Sequence, residues 1–145
     1  MKSLLLFLCL YYSASVIAQG PVFRLSLQKQ TLTVSMEDDK EDKSINITTQ
    51  STYTKDDQLL ITNTNWKLEK EWKRSFTLVD AEGQDISDIP ETGKAGVFCI
   101  SLENLSPLLQ SGHTYKLYTV AFPRDPQKAM LVKIARQLVC MVKVK

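Results

Sequence analysis

Histidine is nearly missing from this chain: His113 is the only one among 145 residues. That excludes a metal site built on several histidines and any two-histidine mechanism, and a Ser-His-Asp triad would have to recruit this residue from a turn. His113 therefore reads as a turn residue and not as a catalytic base. The five glycines are scattered, so no glycine-rich loop is present to cradle a phosphate. Nor is there an excess of one charge. Eighteen basic residues face 16 acidic ones, a net +2, which argues against nucleic acid as a partner. Past the N-terminus no apolar run approaches the roughly 20 residues that span a bilayer. No transmembrane segment, metal or cofactor is expected.

What is present begins with an export signal. Lys2 supplies a positive start, and the apolar run over 4–10 continues through Tyr11 and Tyr12 before Ser13 and Ser15 interrupt it. Val16 and Ala18 are compact enough for the cleavage rule, and Gln19, Gly20 and Pro21 end any helix there. The expectation is a cleaved leader over 1–18 and a single secreted, extracellular domain over 19–145. Cutting after Ala18 leaves 127 residues with 17 bases and 16 acids, a size suited to one core.

Export sets the redox compartment. Of three cysteines, Cys9 leaves with the leader, so Cys99 and Cys140 remain and are expected to form a disulfide. Closing a loop of about 40 residues is worth roughly 3–4 kcal/mol, and the strands carrying them must lie side by side or face each other across the core. Two glycosylation sequons fit the same compartment: Asn46-Ile47-Thr48 and Asn104-Leu105-Ser106. Asn46 alternates away from Ile45 and Ile47 and so faces solvent on a strand. Asn104 lies close before Pro107, where lower occupancy is expected.

Along the domain the dominant signal is the two-residue alternation of half-buried strands. Phe23, Leu25 and Leu27 face one way, and Leu32, Val34 and Met36 repeat the pattern. The charge run over 37–43 follows as a solvated loop, because it lacks the glycine and terminal glutamate of a helix-loop-helix calcium site. Further strands are predicted over 44–49, 58–62, 76–79, 97–102, 114–122 and 138–144. Trp66, Leu68 and Trp72 share a side if 66–72 is extended, which we prefer to a short helix. At Asp125 a capping carboxylate precedes Pro126 at the first helical position, and Met130, Leu131, Ile134 and Leu138 follow at helical spacing. This predicts a short helix from Pro126 to about Gln137, with continued β structure over 130–135 as the competing reading.

The residues Leu105-Ser106-Pro107 and the stretch 112–121, where Tyr115 opens an alternating strand, resemble the corner before the penultimate strand of fibronectin type III and related immunoglobulin-like sandwiches. The resemblance covers about 17 residues and implies that the Tyr115 hydroxyl bonds back to nearby backbone. Residues 108–111 are an insertion relative to the usual spacing, and a Cys99–Cys140 bond is not a usual feature of the fibronectin type III family. The fold class expected is thus mostly β: an antiparallel sandwich, immunoglobulin-like or fibronectin-like, with one short helix.

For chemistry the chain offers little. Asp85 and Asp88 could in principle do acid-base work, but they sit in a polar stretch over 82–88 that reads as a solvated loop. Residues 124–145 carry six bases and one acid, Asp125, and that asymmetry makes Lys128, Lys133, Arg136, Lys143 and Lys145 a candidate basic face for an acidic glycan or an anionic membrane. The expected function is non-enzymatic: a secreted β-sandwich that binds an extracellular protein or an acidic glycan or matrix component. The alternatives are a lipocalin-like barrel carrying a small apolar ligand and a secreted hydrolase with a cleft converging on His113.

Overall fold

A computed structural model describes residues 20–145; the leader over 1–18 and Cys9 lie outside the described residues. Nine strands follow one another: β1 Val22–Leu27, β2 Gln30–Ser35, β3 Ser44–Ile47, β4 Gln58–Asn63, β5 Trp72–Val79, β6 Asp85–Ile89, β7 Val97–Ser101, β8 Thr114–Pro123 and β9 Gln137–Val144. They form two sheets, ordered β2-β1-β4-β7 and β3-β9-β8-β5-β6. All neighbours are antiparallel except β3, which runs parallel to β9 along the edge of the second sheet.

The sandwich follows from the alternation. On β1 the inward set is Phe23, Leu25 and Leu27, and on β4 it is Leu59, Ile61 and Asn63. Facing them across the core are Phe76 and Leu78 of β5, Tyr115, Leu117 and Thr119 of β8, and Ile45 and Ile47 of β3. Burying each such large apolar side chain is worth about 1.5–3 kcal/mol. Phe76 joins the layers, meeting Phe23 edge to face at 5.2 Å and Phe98 at 4.7 Å, the geometry that ring quadrupoles favour. On β9 the pairing skips Val139, because Leu117 faces Cys140 while Tyr118 faces Leu138. That bulge lets Val139 and Cys140 both be buried although they are consecutive.

Three of the four sheet edges are closed by side chains or a loop. Gln30 on β2 donates its amide to the Asn46 carbonyl at 2.6 Å and accepts from the Asn46 N–H at 3.0 Å, so an amide on one sheet completes the ladder of the other. Segment 90–92 covers β7: Cys99 N–H donates to Pro90 O at 3.0 Å and Thr92 N–H to Val97 O at 2.7 Å. Exposed edges left uncovered would invite pairing with other chains.

Four expectations need correction. Residues 66–72 are not one strand: Trp66–Glu69 is a 3₁₀ turn and β5 begins only at Trp72. The reason is local, since the Asn63 side chain accepts from Asn65 N–H at 3.0 Å, forming an Asx turn. The helix from Pro126 stops at Ala129, and no strand takes over 130–135. Its cap forms, with Asp125 accepting from Gln127 N–H at 2.9 Å. However, no third layer exists for the apolar stripe to pack on, and a lone helix that short is marginal in water. Asp85 and Asp88 belong to a strand, β6, and not to a loop.

The fourth correction is the disulfide: Cys99 and Cys140 are free thiols. Phe98 takes the inward position on β7 and leaves Cys99 on the outer face beside its partner Leu60, whereas Cys140 points into the core from the other sheet. The first sheet itself stands between the two sulfurs.

Candidate functional site

Three connections meet at one end of the sandwich: 64–71 between β4 and β5, 90–96 between β6 and β7, and 124–136 between β8 and β9. Beneath the first is a polar network. Arg74 holds both carboxylate oxygens of Glu69, at 2.5 and 3.1 Å, and Glu69 also accepts from the Asn63 amide. Arg74 donates further to Thr119 Oγ1 at 3.3 Å and lies 5.2 Å from the centre of the Phe23 ring. The Arg74 side chain is only 7% exposed and that of Glu69 21%, so the paired charges are largely withdrawn from water and hold the turn in one place. Trp66 is fixed from the other side. Gly96 has φ +73 and approaches so closely that a Cβ there would lie 2.6 Å from the Trp66 Cβ.

The connection 124–136 is tied at both limbs. Arg124 donates from its backbone N–H to Glu71 O at 2.8 Å and from Nε to Lys70 O at 3.0 Å, and Lys128 pairs with Glu71 at 3.4 Å. On the return limb Arg136 grips Asp85 with two bonds of 2.6 Å. Those bonds hold the Asp85 carboxyl below its usual range and push the Arg136 guanidinium up. Between the two tethers the loop presents Met130 and Leu131, 86% and 87% exposed, with Val132 and Ile134 also open to solvent. Leu68 is 79% exposed on the neighbouring loop, and Trp66 and Trp72 are partly exposed. A hollow of about 250 Å³ lies between Trp72, Pro123, Lys128, Leu131 and Val132. Trp72 also walls a second one of about 150 Å³, lined by Trp66, Glu69, Arg74, Glu91 and Arg124 among others.

Compared with family models, curated proteins and solved structures, the chain matches none. Its site has to be judged on its own geometry.

The structure divides the candidate basic face. Lys128 stands at the loop end beside Glu71, Arg136 reaches away from it to Asp85 next to the β5–β6 turn, and Lys143 and Lys145 lie at the far end of β9. Lys128 and Arg136 are engaged in ion pairs. Asn46 sits on β3 between buried Ile45 and Ile47, and Asn104 is exposed in the one-turn helix Leu102–Leu105. Tyr115 is buried, and its hydroxyl accepts from Gln110 N–H at 2.9 Å. His113 is exposed in a turn at the opposite end from the tryptophans. Asp88 accepts from Thr77 Oγ1 at 2.7 Å. Among the described residues no group of three or more His, Cys, Asp or Glu is arranged to hold a metal, and no helix is long and apolar enough to cross a membrane.

The cysteines differ in environment. Burial pushes the Cys140 thiol up to about 12, and partial burial raises that of Cys99, whose sulfur donates to Gln58 Oε1 at 2.8 Å. The apolar tips are legible as hydrophobic residues, but the sequence pattern places them in a strand and a helix stripe. The signal that they stay exposed is negative: Met130, Leu131, Val132 and Ile134 follow a capped turn with no partner layer left in the sequence to cover them.

Proposed function

We propose that this protein is a secreted, non-enzymatic binding module of immunoglobulin-like or fibronectin-like type, which engages its partner through the loop end carrying Trp66, Trp72 and Leu131. One observation carries the reading. Seven large apolar side chains are exposed on adjoining loops that ion pairs and backbone bonds hold in position. A contiguous exposed apolar patch of this kind marks an interaction site.

The family assignment draws support from strand order. β1, β4 and β7 correspond to strands A, B and E, and β6, β5, β8 and β9 to C′, C, F and G of that fold. Tyr115 at the start of β8, bonded to backbone five residues upstream, fits its tyrosine corner. Departures are the extra hairpin strand β2, the lack of an inter-sheet disulfide and the place of the strand-C tryptophan, since Trp72 is partly exposed and Phe76 fills the core. Secretion is supported by the leader and the sequons. The barrel-carrier alternative finds no closed barrel to use.

A photo-crosslinking amino acid at Leu131, set against one at exposed Thr33 on β2, tests the reading in the producing culture. Adducts at position 131 that disappear with Trp72→Ala are expected. Equal labelling from both positions would refute a loop-end site.

A further inference from the structure

We propose that the loop end docks on an anionic lipid surface, an inference that rests on the binding reading above and names the partner. Two kinds of side chain coincide there. Met130, Leu131 and Leu68 stand almost fully exposed at loop tips, with Trp66 and Trp72 behind them, an order that matches aliphatic tips entering acyl chains and tryptophans resting at headgroup level. Around them are Lys67, Lys70, Lys73, Arg124 and Lys133, none of which makes an ion pair among the described residues. Two of the acids nearby are already paired: Glu69 with Arg74 and Glu71 with Lys128. Asp125 caps Gln127 N–H and Glu91 accepts from Gly96 N–H. Asp125 and Glu91 keep their charges, so the five unpaired cations face two unpaired acids and the balance at this end is cationic.

Charge complementarity selects the occupant. Protein interfaces deplete lysine from their centres and demand matching shape. A lipid phase demands neither, and it attracts lysines whose stems lie along apolar surface. Apolar insertion or basic attraction alone binds weakly, but the two together anchor.

The test uses vesicles of phosphatidylcholine alone or with about one-third phosphatidylglycerol, and the protein in the form its producing cells make. Both tryptophans of the chain lie in the patch, so a blue shift of emission reports insertion. Co-sedimentation with the phosphatidylglycerol vesicles is expected, with a blue shift, and it should weaken in high salt. Lys70→Gln with Lys133→Gln should weaken binding about 30-fold, from about 5-fold per cation. Leu131→Asp should weaken it at least about tenfold. Both variants alter exposed side chains, and their melting should match the parent's. Binding that Leu131→Asp leaves unchanged would overturn the proposal, as would equal binding to uncharged vesicles. Absent vesicle binding with adducts still forming at position 131 would sink the lipid assignment while leaving the binding module standing. A dimer that buries the tryptophans, seen by light scattering, would also overturn it.

Discussion

Replacing Arg74 by methionine should destabilise the protein by about 2–3 kcal/mol, and replacing its partner as well should restore much of that. The magnitude follows from the Glu69 carboxylate, which would lose two of its bonds while its side chain stays only 21% exposed. Breaking a fully buried pair by removing one member costs about 3–5 kcal/mol. The residual exposure of Glu69 and its bond to Asn63 soften that penalty. In Arg74→Met with Glu69→Gln no charge is stranded, and the glutamine oxygen can still accept from Asn63, so a coupling of about 2 kcal/mol is expected. Urea denaturation of the four proteins, with unchanged slopes, gives the cycle; the single variant should melt on the order of 10 °C lower. Tryptophan emission should shift as well, because Glu69 closes the turn that begins at Trp66. A single variant within about 0.5 kcal/mol of the parent, or strictly additive effects, would refute the claim that this pair fixes the loop end.

Tyr115→Phe removes the acceptor for the part-buried Gln110 N–H and should cost about 1–2 kcal/mol, measured by the same denaturation; no loss would count against the corner. Peptide mapping without reductant should find Cys99 and Cys140 separately alkylated, Cys140 only after unfolding, and a linked pair would show that the strands face differently. Because the folded state keeps the Cys140 proton up to about 12 while an ordinary thiol loses it near 9.0, the unfolded chain binds fewer protons between those values. Stability should thus fall by up to about 1.4 kcal/mol per pH unit there. Cys140→Ala should remove that slope, and an identical slope in the variant would exclude this thiol as its source. Gly96→Ala forces both a left-handed backbone and a clash with Trp66, so a loss of about 1–3 kcal/mol with altered tryptophan emission is expected; a neutral variant would mean that the loop shifts freely.

Much of the sandwich was legible because alternation is a physical requirement of a half-buried strand. Phe23 to Leu27, Leu59 to Ile61 and Tyr115 to Val120 each write their facing directly. β6 was not legible, since Asp85 and Asp88 carry the charges of an exposed edge and only Ile89 is buried. The thiols show a different limit. Alternation gives facing within a strand, but the pairing of Cys99 with Leu60, which sets which side is outward, is a tertiary fact. At the loop end, the spacing of Met130, Leu131 and Ile134 predicts a helix stripe, whereas the helix ends at Ala129 and these side chains stay exposed. Periodicity says which residues point together; only the presence of a receiving layer decides whether they pack. The Arg74–Glu69 pair was invisible for the same reason, because it depends on a turn that brings the two side chains together.

The parallel seam between β3 and β9 gives the molecule a direction. Lys145 is held on both sides, its N–H on Ile47 O and its carbonyl accepting from Thr49, while Gly20 lies against Asn65 at the tryptophan pole. A strand of eight residues spans roughly 25 Å, so whatever is joined after Lys145 departs about that far from the exposed tips. A fluorophore or an immobilising handle placed there would leave the tryptophan pole facing outward, oriented like a probe on a stalk.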